Sequence, residues 1–345
     1  MASTQETYLK AIADAIRAKE GSTGTIQASK FAERISNLKT EDPKVNFVQI
    51  DMPGSIPKDN WWSVAYGGGK FVAVPFNANG KIVAYSYDGM TWNTATTPVD
   101  GILRSIVYGN NKFVAVGYYG NSTVGYSSRC IYSTNGITWT KATIPVDAEW
   151  RSVTYGAGKF VAIANNSNYA AYSTDGITWT QSTLPASDYW HAIAYSGSGK
   201  FVVTGGQTSK AVAYSTDGIT WTQLTLPFSL VTQWNSIAYG NGKFVAVGGS
   251  GGPSNGILSQ CMYSTDGINW NISDIPSAVW MSIAYLDDKF WAIAPDTSLC
   301  AYSEDGINWN LAKLPHNGKW YDITYGNGKF VAVSMTIGLA CGTYS

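Results

Sequence analysis

The sequence predicts an all-β fold, a seven-bladed β-propeller, on two observations. The dipeptide Lys-Phe recurs at intervals of 40 to 47 residues, which is the range of propeller blades. Each interval also holds four short segments in which apolar and polar residues alternate, the pattern of an antiparallel blade. The lysines of the seven copies are Lys70, Lys112, Lys159, Lys200, Lys243, Lys289 and Lys329.

The repeat that starts at Trp150 shows how a blade is expected to form. Its four predicted strands are 152–155, 159–163, 170–173 and 177–184. Asp175-Gly176 lies between the third and fourth strands, and Asp-Gly favours a two-residue hairpin turn with positive φ. Asn241-Gly242 predicts a similar turn between a first and a second strand. The residues predicted to hold the structural turns before the fourth strands are Asp88, Asn135, Asp175, Asp217, Asp266 and Asp305.

The two ends of the repeat region predict a closed ring. Six repeats finish with a strand that runs from Trp to Pro at a spacing of six, as from Trp179 to Pro185, but the repeat that starts at Trp320 lacks this strand. The segment from Phe47 to Pro53 has the same spacing. We therefore expect an N-terminal strand to complete the last blade of a propeller that spans 46–345. Closure removes free sheet edges that would promote aggregation.

Residues 1–38 predict a small helical hairpin, followed by a linker over 39–45. Ser3 and Glu6 resemble a capping box at the start of the first helix. Two helices this short bury little apolar surface on their own, so they need a partner surface. The segment is therefore predicted to be an attachment or oligomerisation module. Its candidate contact residues are Leu9, Ile12, Ile16, Phe31 and Ile35.

Composition excludes several partner classes. The 23 basic and 23 acidic residues balance, whereas nucleic-acid binding usually requires a basic excess. No apolar run approaches the roughly 18 residues that span a bilayer, and the first 20 residues read as an amphipathic helix rather than a signal peptide. We expect no nucleic acid and no membrane as partners, and synthesis in a cytoplasm.

Cysteine and histidine give no sign of a cofactor. The four Cys have no close spacing, and Cys130, Cys261 and Cys300 occupy third-strand positions where other repeats have small apolar residues. Only His191 and His316 are present, which excludes a His-rich metal site. We predict neither a metal nor a cofactor, and calcium bound by scattered oxygens stays open.

A candidate ligand site lies where the innermost strands begin. The first residue of these strands is Trp in six repeats and Leu103 in one, which is typical of packing between blades. The next position varies, so packing leaves it free for recognition. Arg beside Trp or Tyr suits a saccharide, and the alternative is a rim of ordinary side chains around a water-filled channel. The variable residues are Trp62, Arg104, Arg151, His191, Asn235, Met281 and Tyr321.

Two long segments are predicted as variable loops on the same face. They connect the second and third strands of blades two and five, over 117–129 and 248–260. Loops on a rigid scaffold often carry function. Tyr118, Tyr119 and Tyr126 add aromatic surface to the first of them.

The sequence resembles two known families. The repeat Ser173-Thr174-Asp175-Gly176-Ile177-Thr178-Trp179 and its counterparts resemble the Asp-box, or sialidase-like, propeller repeat, with one residue fewer between Asp and Gly. The segment from Tyr8 to Arg17, followed by Phe31-Ala32-Glu33-Arg34-Ile35, resembles a module of tail-associated proteins in phages and phage-like particles of Gram-positive bacteria. The first resemblance implies a structural turn, and the second implies a place on a virion.

These resemblances lead to a functional hypothesis with alternatives. A sialidase-like glycosidase needs a catalytic pair and an arginine cluster. The propeller has only Arg104, Arg129 and Arg151, and Glu149 is the one acidic residue that we expect beside the ring. We therefore predict a non-enzymatic virion or tailocin protein. Residues 1–38 would bind other virion or tail proteins, the particle would hold several copies, and the variable face would bind a host-surface polysaccharide. The alternatives are a capsid or tail decoration protein, a cellular protein-binding platform and the glycosidase.

Overall fold

The computed structural model describes residues 45–50, 60–77, 80–121, 123–206, 212–228, 233–252, 256–336 and 338–344. The chain divides into two compact units, 1–46 with 344–345, and 47–343. The predicted helical hairpin, its contact residues Leu9, Ile12, Ile16, Phe31 and Ile35, and most of the linker lie outside the described residues.

The described residues form seven four-stranded sheets, so the prediction of an all-β seven-bladed propeller is confirmed. Consecutive strands pair antiparallel, as in the third blade. The first blade contains β2 (Trp61–Gly67), β3 (Lys70–Pro75), β4 (Ile82–Ser86) and β5 (Asn93–Thr96). The second contains β6 (Ile102–Gly109), β7 (Lys112–Asn121), β8 (Gly125–Ser133) and β9 (Thr140–Lys141). The third contains β10 (Trp150–Gly156), β11 (Lys159–Ala164), β12 (Ser167–Ser173) and β13 (Thr180–Asp188).

The remaining blades repeat this plan. The fourth contains β14 (Trp190–Tyr195), β15 (Phe201–Gly205), β16 (Val212–Ser215) and β17 (Thr222–Leu224). The fifth contains β18 (Trp234–Gly240), β19 (Lys243–Gly252), β20 (Gly256–Ser264) and β21 (Asn271–Ser273). The sixth contains β22 (Ser282–Leu286), β23 (Lys289–Ile293), β24 (Thr297–Ser303) and β25 (Asn310–Gly318). The seventh sheet has the order β1 (Val45–Ile50), β28 (Gly338–Tyr344), β27 (Lys329–Ser334) and β26 (Trp320–Gly326).

The hydrophobic core lies between neighbouring blades. The innermost strands contact one another in blade order, and β2 also contacts β26. The Phe of each Lys-Phe pair is buried, and so is the Trp or Leu103 at the predicted start of each innermost strand, as Phe160 and Trp150 illustrate. Burying one such side chain contributes roughly 2–3 kcal/mol. The structure therefore confirms that the Trp residues at the start of the innermost strands pack between blades.

The Asp-Gly segments do not form two-residue hairpin turns, and this prediction is wrong. In the third blade, β12 ends at Ser173 and β13 begins only at Thr180. The Asp175 carboxylate accepts hydrogen bonds from the N–H groups of Ile177 at 2.8 Å and Thr178 at 2.9 Å. The side chain thus takes the place of a backbone acceptor and orders a six-residue loop, which delays the fourth strand.

Asn135 organises the equivalent loop of the second blade in the same way. Its side-chain oxygen accepts hydrogen bonds from Ile137 N at 2.9 Å and Thr138 N at 2.8 Å. By contrast, Asn241 and Gly242 form the predicted two-residue turn, with φ angles of 44° and 72°. The place in the blade therefore decides the turn: Asn-Gly forms a tight hairpin between the first and second strands and a side-chain-capped loop between the third and fourth.

The two long segments of blades two and five are strands and not loops, which corrects the prediction. Strands β7 and β8 stay paired as far as Asn121 and Gly125. Strands β19 and β20 stay paired as far as Gly252 and Gly256. Blades two and five therefore each carry an extended hairpin, which we call the arm of that blade.

Candidate functional site

A β-bulge places six of the candidate side chains at the mouth of the channel. In six of the innermost strands that the structure describes, the pairing register shifts across the residue that follows the buried Trp or Leu, as between Leu103 and Ser105. This residue is left out of the ladder, and a bulge redirects its side chain. The residues at these bulges are Trp62, Arg104, Arg151, His191, Asn235 and Tyr321.

These six side chains and Met281 line one cavity of about 170 Å³ in the channel. The third and fourth residues of the same strands form its deeper wall. The cavity therefore brings together residues from all seven blades, as the comparison of repeats predicts. The deeper lining residues are Ser63, Ser105, Ile106, Ser152, Ala192, Ile193, Ser236, Ile237, Ser282, Ile283 and Asp322.

One side of the mouth is an aromatic cluster. Trp62 stacks on Tyr321, with ring centroids 4.1 Å apart, and on Phe76 at 4.9 Å. The guanidinium of Arg104 lies 4.3 Å from the centroid of the Trp62 ring and 4.5 Å from that of Phe76. The expected pairing of Arg with Trp and Tyr is present, and it is a packed arrangement in which Arg104 is held by cation–π contacts.

Glu149 lies between the two arginines. Its Oε1 atom is 3.7 Å from Arg104 Nη2 and 3.9 Å from Arg151 Nη1. Its Oε2 atom accepts a hydrogen bond from Asn165 Nδ2 at 3.1 Å. Burial raises the pKa of the neighbouring Tyr126, and the charge of Glu149 raises that pKa further. The carboxylate is thus fixed on several sides.

Arg151 makes fewer polar contacts than Arg104. Arg104 donates a hydrogen bond from Nη2 to the Tyr118 hydroxyl at 3.2 Å. The guanidinium of Arg151 makes no hydrogen bond within the described part of the chain, and the 3.9 Å contact with Glu149 is too long for one. Burial lowers the pKa of Arg151 to about 10, and the charge of Arg104 lowers it too. Arg151 is therefore still a cation at neutral pH, with free donors at the cavity wall.

His191 and Asn235 continue the rim without adding charge. Burial lowers the pKa of His191 to about 3, and the charge of Arg151 contributes to this shift. The imidazole is therefore neutral at physiological pH. Asn235 Nδ2 donates a hydrogen bond to the Trp280 carbonyl at 2.9 Å, which ties the fifth blade to the sixth.

The tyrosines of the blade-two arm separate into two groups. Tyr118 is buried beside Arg104 and packs edge-on against Tyr126, with centroids 5.4 Å apart. Tyr119 is one residue further along the strand and faces the other way, where it lies 5.3 Å from the guanidinium of Arg129. The structure therefore brings Tyr118 to the rim of the site and leaves Tyr119 outside it.

Asp322 is a site residue that sequence reasoning missed, and the expectation that Glu149 is the sole acidic residue beside the ring is wrong. Asp322 lines the cavity directly after Tyr321. Burial raises the pKa of its carboxyl, against hydrogen bonds that lower it, the first of them from Val64 N. The signal was present in the repeats, because this position is Ser in five blades, Ala192 in one and Asp322 in the last.

Metal and membrane features are absent from the part of the chain that the structure describes. No three His, Cys, Asp or Glu side chains there are grouped in a way that could hold a metal ion. No helix there has the length and apolar character that crossing a membrane requires. The cysteines Cys130, Cys261, Cys300 and Cys341 are free and buried in the core.

Comparison with known proteins gives a fold and no family. No family model matches the chain, and no curated protein matches it. Among solved structures, a streptogramin B lyase is 14% identical, covers 87% of this chain and 98% of its own, and has a TM-score of 0.71. A catalytically inactive virginiamycin B lyase from Staphylococcus aureus with quinupristin is 12% identical over 88% of this chain and all of its own, with a TM-score of 0.66. YCF48 bound to D1 peptide is 14% identical over 88% of this chain and 96% of its own, with a TM-score of 0.63.

These similarities correct one prediction. The expectation that the chain is not an enzyme is contradicted by the lyases, because an enzyme shares the architecture over nearly the whole propeller. The exclusion rested on a single glycosidase constellation, and the fold evidently serves other enzyme classes. What the comparisons establish for this chain is the seven-bladed β-propeller fold.

Proposed function

We propose that this protein is a ligand-binding propeller whose channel mouth receives an anionic group of a saccharide. The observation that carries the proposal is Arg151, which lines the cavity as a cation without a hydrogen-bond partner in the described chain. The side chain of Arg151 is 20% exposed, so its N–H donors are accessible to a ligand in the cavity. A carboxylate or phosphate oxygen is the partner that a guanidinium pairs with best.

The rest of the rim supports a saccharide. Trp62 and Tyr321 are half-buried and present an aromatic surface beside the arginines. Aromatic faces pack against the apolar faces of sugar rings, while amide and hydroxyl groups hydrogen-bond sugar hydroxyls. Asn235 and the serines of the deeper wall, such as Ser152, provide such groups.

We further propose that the protein acts on a phage or tailocin particle, where the ligand is a host-surface glycan. The resemblance of the N-terminal segment to tail-associated modules supports this placement. In the proposal, residues 1–38 form a helical hairpin that binds other particle proteins and gives several copies per particle. Several copies raise the overall avidity even where each site binds weakly.

We also propose that strand β1 closes the propeller ring. The strand order of the seventh sheet, in which β1 is next to β28, supports this. Ile50 of β1 belongs to a core cluster with Val333 and Leu339 of the last blade and Trp61 of the first. A strand in that position gives the last blade its fourth strand and pairs the edge of β28.

An array of acidic and neutral oligosaccharides tests the proposed function. The intact protein should be retained on at least one acidic saccharide, and Arg151→Ala should lose that retention. Arg129→Ala is the matched control, because Arg129 belongs to blade two but lies outside the cavity and pairs with Asp100 at 3.0 Å. Retention on no saccharide would overturn the proposal. Release of a product from a retained saccharide would show that the protein also catalyses a reaction on it.

The particle placement has its own test. Particles assembled with a chain that lacks residues 1–38 should contain no propeller if that segment is the anchor. Incorporation of the shortened chain at normal levels would contradict the anchoring role. Particles that carry the protein but adsorb to host cells equally well with Arg151→Ala would favour the decoration alternative.

A further inference from the structure

Among the residues that the structure describes, Glu149 is the one carboxylate that contacts both arginines of the mouth. Its Oε1 atom lies within 4 Å of Arg104 Nη2 and of Arg151 Nη1. Both arginines line the cavity, whereas Glu149 is not part of the cavity wall. The carboxylate therefore stands behind the arginines as seen from the cavity, and a ligand in front of them would not displace it.

The surroundings of Glu149 hold it in that position. Asn165 Nδ2 donates to its Oε2 atom at 3.1 Å, and Asn165 N donates to its backbone carbonyl at 2.8 Å. The side chain of Glu149 is only 9% exposed. Glu149 therefore acts as a fixed negative charge rather than a mobile one.

This fixed charge determines the charge of the mouth. Arg104 and Arg151 contribute two positive charges, Glu149 cancels one of them, and His191 is neutral at physiological pH. The carboxyl of Asp322 also lines the cavity, but its partners are Ser63, Val64 N and Ser282, and it forms no ion pair with either arginine among the described residues. The arginine pair therefore has one carboxylate within ion-pair distance, and one negative charge on a ligand supplies the second.

We infer that Glu149 is a specificity-determining residue that restricts the site to singly charged anions. The inference rests on the proposed function and adds the charge of the ligand to it. A second negative charge on a ligand would meet Glu149 and Asp322 with no further cation to offset it. Even at a separation of about 10 Å, an effective dielectric constant near 20 makes such a charge worth about tenfold in affinity.

Gluconate and glucarate form a matched pair of probes, because both are six-carbon polyhydroxy acids with one and two carboxylates. Titration of the full-length protein, followed by NMR of the cavity residues, gives both dissociation constants. The intact protein should prefer gluconate over glucarate by about tenfold. In Glu149→Gln, which frees a second positive charge, the ratio of the two affinities should move about tenfold toward glucarate.

The control variant is Asp100→Asn, which removes a carboxylate from the ion pair with Arg129 on the same blade, away from the cavity. Its affinity ratio should equal that of the intact protein. The ratio within one variant does not depend on how much of that variant is folded, so lower stability of Glu149→Gln leaves the test valid. An unchanged ratio in Glu149→Gln would overturn this inference and leave the proposed function standing. Binding of neither probe to the intact protein would instead contradict the anion site itself.

Discussion

Ser63 Oγ donates a hydrogen bond to Asp322 Oδ2 at 2.8 Å, which joins the first blade to the seventh. Elsewhere around the channel, a serine at the same position accepts a hydrogen bond from the backbone of the next blade. Ser105 Oγ accepts from Val153 N at 3.2 Å, for example. Asp322 does the same with Val64 N at 3.0 Å and also accepts from Ser282 Oγ at 3.1 Å. The Asp322 carboxylate thus joins the last blade to the first and also to the sixth.

Replacing Asp322 should weaken the propeller at this junction. Asp322→Ala leaves Val64 N and two serine hydroxyls without their acceptor, and each lost hydrogen bond costs about 1 kcal/mol. We expect the free energy of unfolding to fall by about 3 kcal/mol in urea titrations followed by Trp fluorescence. Asp322→Ser restores one acceptor, as in five other blades, and should recover part of the loss. Equal stability of all three proteins would contradict the assignment.

Acid should destabilise the propeller through its Asp turns. Burial would raise the pKa of Asp88, Asp217 and Asp305, but two backbone N–H donors on each outweigh it and lower the pKa to about 2. An unfolded Asp has a pKa of about 3.9. The stabilisation from these turns is therefore present above pH 4 and lost as the pH falls toward 2.

Melting temperatures measured between pH 7 and pH 2 test whether stability falls with pH as predicted. The melting temperature should hold steady down to about pH 4 and then fall. Asp88→Asn copies the natural Asn135 loop, which does not titrate, and should fall less steeply in this range. Burial raises the pKa of Asp322, so protonation of that residue favours the folded protein as the pH falls, opposite to the effect of the turns. A melting temperature that rises below pH 4 would show that Asp322 outweighs the turns.

The two arginines of the mouth should differ in how much they contribute to the free energy of unfolding. Arg104 is packed between aromatic rings and hydrogen-bonded to Tyr118, so Arg104→Ala should cost about 2–3 kcal/mol of unfolding free energy. Arg151 has only the long contact with Glu149, so Arg151→Ala should change stability by less than about 1 kcal/mol. Urea titrations of the two variants provide the comparison. Comparable losses would mean that Arg151 is held as firmly as Arg104.

The cysteines should be unreactive in the native protein. Burial raises the pKa of Cys130, Cys261 and Cys300 to about 12, and Cys341 is buried as well. A thiol needs to ionise and be accessible to react. At pH 8, a disulfide reagent should label no cysteine until denaturant unfolds the chain, when all four should react. Fast labelling of one thiol before unfolding would indicate local opening of its blade.

Much of the fold was predictable because the blades repeat. The regular recurrence of Phe160 and Trp150 equivalents marks residues that pack between blades, and every such residue that the structure describes in β2 to β27 is buried or half-buried. The Asp175 loop was not predictable from backbone turn rules, since its conformation depends on a side-chain acceptor. The extended arms were missed because a long gap between repeats gives no sign that its residues stay paired.

The candidate site was predictable in position but not in detail. Comparing repeats identified Arg104 and Arg151, because packing does not constrain the bulge residue. The bulge itself leaves no mark in the sequence, and neither does the stacking of Phe76 on Trp62 from a different part of the same blade. Successive side chains of a strand face opposite sides, so only one of Tyr118 and Tyr119 can face the rim. Because the segment was predicted to be a loop, this alternation was not used.

The bulges at the start of six innermost strands have an evolutionary consequence. Because a bulge residue takes no part in the ladder, its replacement leaves the backbone pairing of its blade intact. Gene duplication of a blade therefore copies the scaffold together with a rim position that can vary. A residue with few contacts, such as Arg151, can change there at little cost in stability, whereas Arg104 is tied to its neighbours.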